Sequence, residues 1–188
     1  MTRVSSILCV LVLLTAAGVL AEEGPCPCFV FPSEEAVPWP SGQEIHLGDE
    51  VVIEADAGQE IWIRHGFGGP RTEFFAGMDE ASICQYVRAN WSFELYVNAV
   101  VVQPTQVVLF PTQTDWACDP WVFYWVFEFP ANHFAPGSHV MQGHWLRDPD
   151  SYLEEDVCPE LLEARGMTFD EIIVENWRTQ FVRFEGAE

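Results

Sequence analysis

The sequence predicts a mainly β protein built as a single β-sandwich, with one short helix and an acidic insertion. Apolar and polar residues alternate over Val51–Ala55, Ser92–Val97 and Thr179–Phe184, as is typical of half-buried strands. Turn residues separate the predicted strands at intervals of about ten residues, which favours a sandwich over an α/β fold. The composition, 49% hydrophobic and 14% aromatic, excludes a disordered coil.

The strand predictions follow the chain in order. They cover residues 45–47, 50–55, 61–65, 92–97, 100–102, 107–110, 121–129, 138–146 and 179–184. The first two, joined by a turn at Gly48-Asp49, form a predicted hairpin or strand pair. Strand 61–65 ends in the turn-rich segment Gly66–Pro70. Strand 121–129 (WVFYWVFEF) is apolar on both faces up to Glu128, which predicts a central strand buried on both sides.

Helical patterns occupy two places. Residues 79–89 carry acids in the first turn and an arginine near the end, which favours the helix dipole, and their apolar residues lie at helical spacing. The acidic insertion, residues 147–170, contains a short helical segment at 160–165 between a proline and a glycine. Residues 168–174 match both a capping box and a strand, and the pattern leaves both open.

The first 21 residues have the layout of a secretory signal peptide. Arg3 gives a positive start, Ile7–Val19 is largely apolar and uncharged, and cleavage is expected after Ala21, before two glutamates. The apolar run is too short to span a bilayer, which takes roughly 20 apolar residues. No second run of that length follows. We therefore expect a secreted or extracytoplasmic protein with no membrane span after cleavage.

The mature chain divides into two parts. Residues 22–43 contain five prolines and no sustained periodicity, which predicts a proline-rich arm or linker. Residues 44–188 form the predicted β-sandwich domain. This length suits one domain with room for a sizeable core.

One stretch of the chain resembles a known group of proteins. After the strand at 121–129 comes a corner at Phe134–Gly137 (FAPG), followed by His139–Trp145 (HVMQGHW). In these features residues 91–146 resemble the late-strand region of immunoglobulin-like β-sandwiches from exported bacterial proteins. The resemblance implies an immunoglobulin-like fold. It implies little about activity, because families of this kind often have no assigned activity.

The charge of the chain limits its partners. There is no lysine, and removal of Arg3 leaves 7 arginines against 29 acidic residues, a formal charge of 7 − 29 = −22. Such a chain repels nucleic acid and anionic membrane surfaces, because its long-range field has the wrong sign for phosphate. We therefore expect no nucleic-acid partner.

Cysteines supply the expected cross-links. Cys9 leaves with the signal peptide, and the mature chain keeps Cys26, Cys28, Cys84, Cys118 and Cys158. In an exported protein most of these should pair. We expect Cys84 to pair with Cys118, since both lie near the ends of predicted elements in the middle of the domain. Cys158 is expected to pair with Cys26 or Cys28 and tether the arm, which leaves an odd thiol.

Aromatic residues give the best functional lead. Trp62 lies on the same strand face as Arg64, and Trp116 lies in a turn-rich segment beside Cys118. If exposed, these side chains could stack on sugar rings or on a partner protein. The alternative is that the tryptophans fill a second buried face, because large aromatic side chains are mostly buried.

The histidines do not predict a metal site. His139 and His144 are five residues apart on one strand, and this odd spacing puts them on opposite faces. His65 could join one of them, with Asp148 or Asp150 supplying oxygen. A metal site needs three or four convergent ligands, and isolated surface or turn histidines are the simpler interpretation.

No catalytic spacing stands out. There is no Gly-x-Ser-x-Gly motif and no phosphate-binding glycine loop, and we expect no cofactor. The acidic run Glu154–Asp156 is typical of a solvated surface, whereas a general acid needs burial. The leading hypothesis is a non-catalytic exported module that binds or scaffolds a protein or carbohydrate at or outside the cell surface. The alternatives are a secreted hydrolase with a carboxylate pair and an aromatic-platform carbohydrate-binding module.

Overall fold

A computed structural model describes residues 26–47, 52–113, 118–151, 154–171 and 175–186 of the chain. Within these residues the protein is mainly β, with two helices and two five-stranded sheets. The predicted signal peptide, the turn at Gly48-Asp49 and residues 172–174 lie outside the described residues.

Ten strands of 3 to 11 residues, two helices and four 3-10 turns occur in the described residues. The strands are β1 Cys28–Val30, β2 Gln43–Ile45, β3 Ile53–Asp56, β4 Ile61–Arg71, β5 Trp91–Val97, β6 Val100–Val102, β7 Gln106–Pro111, β8 Pro120–Phe129, β9 Gly137–Arg147 and β10 Glu175–Glu185. The helices are α1 Glu80–Asn90 and α2 Pro159–Arg165, and 3-10 turns cover Glu34–Ala36, Thr72–Phe75, Glu154–Asp156 and Phe169–Glu171.

The first sheet has the strand order β1-β7-β8-β4-β2, and the second has the order β3-β10-β9-β5-β6. β8 is the middle strand of the first sheet, as its apolar residues on both faces predict. The proline-rich segment contributes to this sheet, because β1 pairs in parallel with β7. β2 includes both Gln43 and Glu44, so the predicted boundary between the arm and the β-sandwich domain falls inside a strand.

The inner faces of the two sheets share one core. Phe93 of β5 and Phe127 of β8 come from opposite sheets, and their ring centroids lie 5.7 Å apart. Trp91 and Phe123 meet in the same way at 4.9 Å. Each such side chain contributes on the order of 2 kcal/mol through burial.

Both helical predictions are confirmed. α1 begins after Asp79, whose carboxylate accepts a hydrogen bond from the backbone N–H of Ser82 at 2.8 Å. α2 begins with Pro159 and ends at Gly166, which adopts a left-handed conformation with φ of 62°. α2 belongs to the acidic insertion.

The turn predicted at Gly66–Pro70 is wrong, because β4 continues through it to Arg71. A Cβ atom on Gly66 would lie 2.3 Å from the carbonyl oxygen of Phe123 and 2.4 Å from the ring of Tyr124. Glycine is therefore needed here for close packing against β8, not for a turn.

The hairpin predicted from residues 45–47 and 50–55 is also wrong. β2 pairs in parallel with β4 of the first sheet, and β3 pairs in parallel with β10 of the second. The chain crosses between the sheets after Ile45, because Leu47 already lies against Gly143 of β9. The two short strands are thus edge strands of different sheets, and the side chain of Gln43 in β2 donates to the carbonyl oxygen of Glu54 and accepts from the N–H of Asp56 in β3.

The disulfides differ from the expected pairs. Cys28 of β1 bonds to Cys84 of α1, and Cys118 bonds to Cys158, with Cα–Cα distances of 5.9 Å in both cases. The predicted Cys84–Cys118 bridge is wrong because α1 packs against β1, and Cys118 precedes β8 beside the insertion. Cys158 therefore does not tether the arm, and Cys26 is a free, half-buried thiol.

We predict that loss of the Cys118–Cys158 disulfide lowers the free energy of unfolding by about 4 kcal/mol, because this bond closes a 40-residue separation in the unfolded chain. The change is a Cys118→Ala, Cys158→Ala double variant, and urea denaturation measures the effect. Cys26→Ser is the matched control and should leave stability nearly unchanged. Non-reducing peptide mapping that recovered a Cys84–Cys118 peptide would contradict the observed pairing.

Candidate functional site

The predicted pair Trp62 and Arg64 lies on the outer face of the first sheet, because β4 alternates as expected. Trp62 is only 6% exposed, since Trp39 from the proline-rich segment stacks on it at 5.7 Å. Of the two alternatives for Trp62, the buried one therefore holds, and Trp62 does not offer an exposed platform to a ligand. Trp116 lies outside the described residues.

Arg64 is occupied by contacts within the protein. Its guanidinium lies 4.6 Å from the ring centroid of Trp39 and 5.1 Å from that of Tyr124. Its Nε donates to Glu44 at 2.7 Å, and its Nη1 donates to Glu34 at 3.0 Å. The guanidinium thus holds the segment of residues 31–40 onto the first sheet.

The outer face of the second sheet is different, because it is open to solvent. It presents the rings of Tyr96, His144, Trp177 and Phe181 together with the carboxylates of Glu94 and Glu175, and we call this set the aromatic face. Trp177 and Phe181 are each 50% exposed, although large aromatic side chains are usually buried. An exposed aromatic cluster of this kind is typical of a binding surface.

Strand register assembles the aromatic face from three strands. Trp177 of β10 lies opposite His144 of β9, and His144 lies opposite Glu94 of β5. Tyr96 is two residues further along β5 and therefore points to the same side, as the alternation in Ser92–Val97 predicts. Cross-strand neighbours at these positions have Cβ atoms about 5 Å apart, close enough for their side chains to touch.

The imidazole of His144 is the centre of the aromatic face. Its ring stacks on Trp177 with a centroid distance of 3.9 Å and an interplanar angle of 6°. Its Nδ1 lies 3.5 Å from Glu94 and its Nε2 lies 3.1 Å from Glu175. These contacts fix the orientation of the imidazole, and the imidazole in turn supports the indole of Trp177 from one side.

Tyr96 completes the arrangement. Its hydroxyl donates to Oε2 of Glu94 at 2.7 Å, and its ring centroid lies 5.7 Å from that of Trp177. The hydrogen bond to Glu94 is the largest cause of a raised pKa of Tyr96, so the phenol keeps its proton at neutral pH. The carboxylates of the face are thus oriented by a phenol and an imidazole.

The exposure of Trp177 was not predicted, because the predicted strand 179–184 is shorter than β10 and leaves Trp177 out. Strand 179–184 was expected to begin at Thr179, but β10 begins at Glu175 and includes Trp177. Phe181 shares the outward parity of Thr179, while Val182 and Phe184 are buried. A large aromatic residue on the polar side of an alternating strand was the available signal.

The histidines do not come together. His139 contacts the rings of Phe134 and Phe184, and His144 lies on the other face of β9, as their spacing predicts. His65 of the first sheet stacks on Phe93 in the core, with a centroid distance of 4.7 Å. Burial, assisted by the positive charge of Arg178, lowers the pKa of His65 from 6.5 to about 4.

One cluster with metal-ligand spacing occurs in the part of the chain that the structure describes. It contains Cys118, Cys158 and Glu160, with ligand atoms within 4.8 Å of one another. The two sulfur atoms are bonded to each other in a disulfide and are not thiolates. A thiolate is the form of cysteine that binds metals, so this cluster is a cross-link with a nearby carboxylate.

A shallow cleft of about 270 Å³ is lined by two carboxylates, those of Glu60 and Glu128. Both residues are exposed. Ser41 donates to Glu60 at 2.8 Å, and Thr105 donates to Glu128 at 3.0 Å. A general acid that works near neutral pH needs a carboxyl group removed from water, and this cleft does not provide one.

Comparison with known proteins gives no relative: no protein-family profile matches the chain, and no curated protein or solved structure matches it. None of the helices in the described part of the chain is long and apolar enough to cross a bilayer.

We predict that His65 makes stability depend on pH. The pKa of His65 is about 4 when folded and about 6.5 when unfolded, so between these values the unfolded chain binds more protons. Stability is therefore lost as the pH falls from about 6.5 to about 4, by about 3 kcal/mol from this residue. Denaturation of a His65→Phe variant between these pH values should show a smaller loss of unfolding free energy than the unmodified protein shows.

His46 provides the control, because its side chain is 70% exposed. A His46→Gln variant should keep the pH dependence of the unmodified protein. Equal pH dependence in the His65→Phe variant and the unmodified protein would contradict the role of His65.

We also predict that Trp39→Ala lowers the free energy of unfolding by about 2 kcal/mol, less than for a fully buried tryptophan because Trp39 is half-buried. Loss of the covering ring should also expose Trp62 and shift the tryptophan fluorescence to longer wavelength. Trp177→Ala is the matched control and should change stability by under about 1 kcal/mol. A larger loss of stability in Trp177→Ala than in Trp39→Ala would contradict the role of Trp39 in covering the first sheet.

Proposed function

We propose that the protein is a non-catalytic exported module that binds a ligand at or outside the cell surface, and that the ligand contacts the aromatic face. One observation carries the proposal: Trp177 is half-exposed while His144, stacked on it, is held between two carboxylates. An exposed side chain with a fixed orientation loses little conformational freedom on binding, which favours affinity.

The fold that we propose for this module is an immunoglobulin-like β-sandwich. In that fold the strand orders are ABED in one sheet and CFG in the other. The orders β2-β4-β8-β7 and β5-β9-β10 agree with these, and β6 lies beside β5 as strand C′ does beside C. The chain departs from the pattern in the parallel pairing of β2 with β4, in the added strands β1 and β3, and in helix α1.

Export is supported by two features. Residues 1–21 have the pattern of a secretory signal peptide, and the described part of the chain contains two disulfides. Disulfides form and persist in oxidising compartments, which lie outside the cytosol in most cells. We therefore propose a secreted or extracytoplasmic location, which amino-terminal sequencing of the mature protein would test through cleavage after Ala21.

The partner that we propose is a protein or carbohydrate, not a nucleic acid. The mature chain carries a formal charge of −22, and the aromatic face itself carries two carboxylates. A secreted hydrolase is the less favoured function, because Glu60 and Glu128 are both exposed in their cleft. Two carboxylates make a hydrolase only where one of them is held protonated.

We predict that Trp177→Ala abolishes retention of the protein on any glycan or peptide spot that retains the unmodified protein in an array. The substitution removes the largest exposed ring of the aromatic face, and rings of this size supply much of the binding energy at interfaces. Binding of labelled protein to arrayed glycans, basic peptides and acidic peptides measures the effect.

Phe29→Ala is the matched control, because Phe29 is 45% exposed but lies on β1 at the edge of the other sheet. This variant should bind as the unmodified protein does. Retention that is lost with Phe29→Ala and kept with Trp177→Ala would place the ligand elsewhere. Turnover in a hydrolase screen that disappears with Glu60→Gln would contradict a non-catalytic role.

A further inference from the structure

On the basis of the proposed function, we infer that the ligand of the aromatic face is a neutral glycan whose pyranose rings carry equatorial hydroxyl groups. One pyranose ring stacks on the exposed surface of Trp177, and its hydroxyl groups donate hydrogen bonds to Glu94 and Glu175. The inference depends on the shape of the indole surface, on the donors and acceptors around it and on its charge.

His144 covers one side of the indole of Trp177, stacking on it at a centroid distance of 3.9 Å with nearly parallel planes. The ring of Tyr96 lies 5.7 Å from the indole and is tilted by 37°. On the edge of β10 away from β9, β3 pairs with β10 only from Val182 to Glu185, so no described strand runs beside Trp177 there. Because Trp177 is 50% exposed, a flat ligand can lie on the exposed surface of the ring.

A pyranose ring with equatorial hydroxyl groups matches this surface. Its axial C–H bonds form an apolar patch about as wide as an aromatic ring, while its hydroxyl groups point outward at the rim. Stacking of such a patch on tryptophan buries apolar surface without burying the hydroxyl groups. The geometry of a half-exposed indole that His144 supports from one side suits this contact.

The polar groups around Trp177 are mostly acceptors. Glu175 lies two residues before Trp177 on the same side of β10, and Glu94 lies beyond His144, with 60% and 47% of their side chains exposed. A carboxylate has about four acceptor sites, more than the contacts to His144 and Tyr96 use. The ligand must therefore bring donors, which glycan hydroxyl groups do.

Charge excludes two other occupants. Anionic glycans are repelled by the two carboxylates and by the formal charge of the mature chain, which is −22. A second copy of the chain carries the same charge and is repelled in the same way. A neutral glycan brings donors without charge and encounters neither repulsion.

A basic peptide is the competing ligand, and the polar groups that interrupt the apolar surface favour the glycan. A specific protein interface covers about 800 Å² on each partner and has an apolar centre. On the aromatic face, the carboxylates and the side chains of Gln142 and Thr179 interrupt the apolar groups. A surface on which polar side chains separate the aromatic rings suits sugar rings, which have an apolar patch and a polar rim, better than it suits the continuous apolar centre of a peptide interface.

Titration of the full-length mature protein tests the inference, with tryptophan fluorescence and calorimetry as readouts. The probes are cello-oligosaccharides and chito-oligosaccharides as neutral glycans, oligogalacturonate as the anionic glycan and oligolysine as the basic peptide. We expect a neutral probe to bind, and Trp177→Ala to weaken binding at least about tenfold. Oligogalacturonate should bind much more weakly.

Two further variants separate a specific site from a general effect. His144→Ala should weaken neutral-glycan binding less than Trp177→Ala does, because it removes support for the indole and not the stacking surface. Phe29→Ala should leave the affinity unchanged. Circular dichroism of each variant checks that the fold is retained.

The outcomes distinguish the ligand class from the binding face. Oligolysine binding that depends on Trp177, without binding of either neutral probe, would overturn the glycan inference and leave the proposed function standing. Oligogalacturonate binding equal to that of the neutral probes would overturn the charge argument and with it the inference. Absence of any Trp177-dependent binding would overturn both.

Discussion

The rest of the structure depends on the burial of β8 on both faces. This strand, Pro120–Phe129, is apolar and aromatic almost throughout, and a strand of this kind must be covered on two sides. Its inner face packs against the second sheet, where Phe127 meets Phe93. Its outer face, with Val126 and Tyr124, is covered by Trp39 and the proline-rich segment.

This requirement explains why the two sheets differ in what they expose. On the first sheet, the stacking of Trp39 on Trp62 and the ion pairs of Arg64 close the outer face. On the second sheet, no described segment does the same for Trp177, which stays half-exposed beside His144. The first sheet combines tryptophan with an arginine and two glutamates, and the second combines tryptophan with a histidine and two glutamates. The covering segment therefore decides which of the two sets is available to a ligand.

The disulfides join the segments that are hardest to hold by burial alone. Cys28–Cys84 links the short edge strand β1 to α1, and Cys118–Cys158 links the chain before β8 to the acidic insertion. Each connects a peripheral segment to one that packs against the core. The cross-links thus keep in place the segments around the first sheet, while the aromatic face is built on the long paired strands β9 and β10.

The sequence by itself determined the mainly β architecture, both helices, the central burial of β8 and the opposite faces of His139 and His144, because these follow from local periodicity and capping. It could not determine strand partners, so the hairpin at residues 45–55 and the cysteine pairs were wrong. It likewise placed Trp62 on the face of Arg64 without showing that Trp39 covers it, and it did not include Trp177 in a strand. The pairing of strands and cysteines, and the covering of a sheet face by another segment, are contacts between residues distant in the chain. Only the tertiary structure decides them, because alternation fixes the direction of a side chain and not what lies above it.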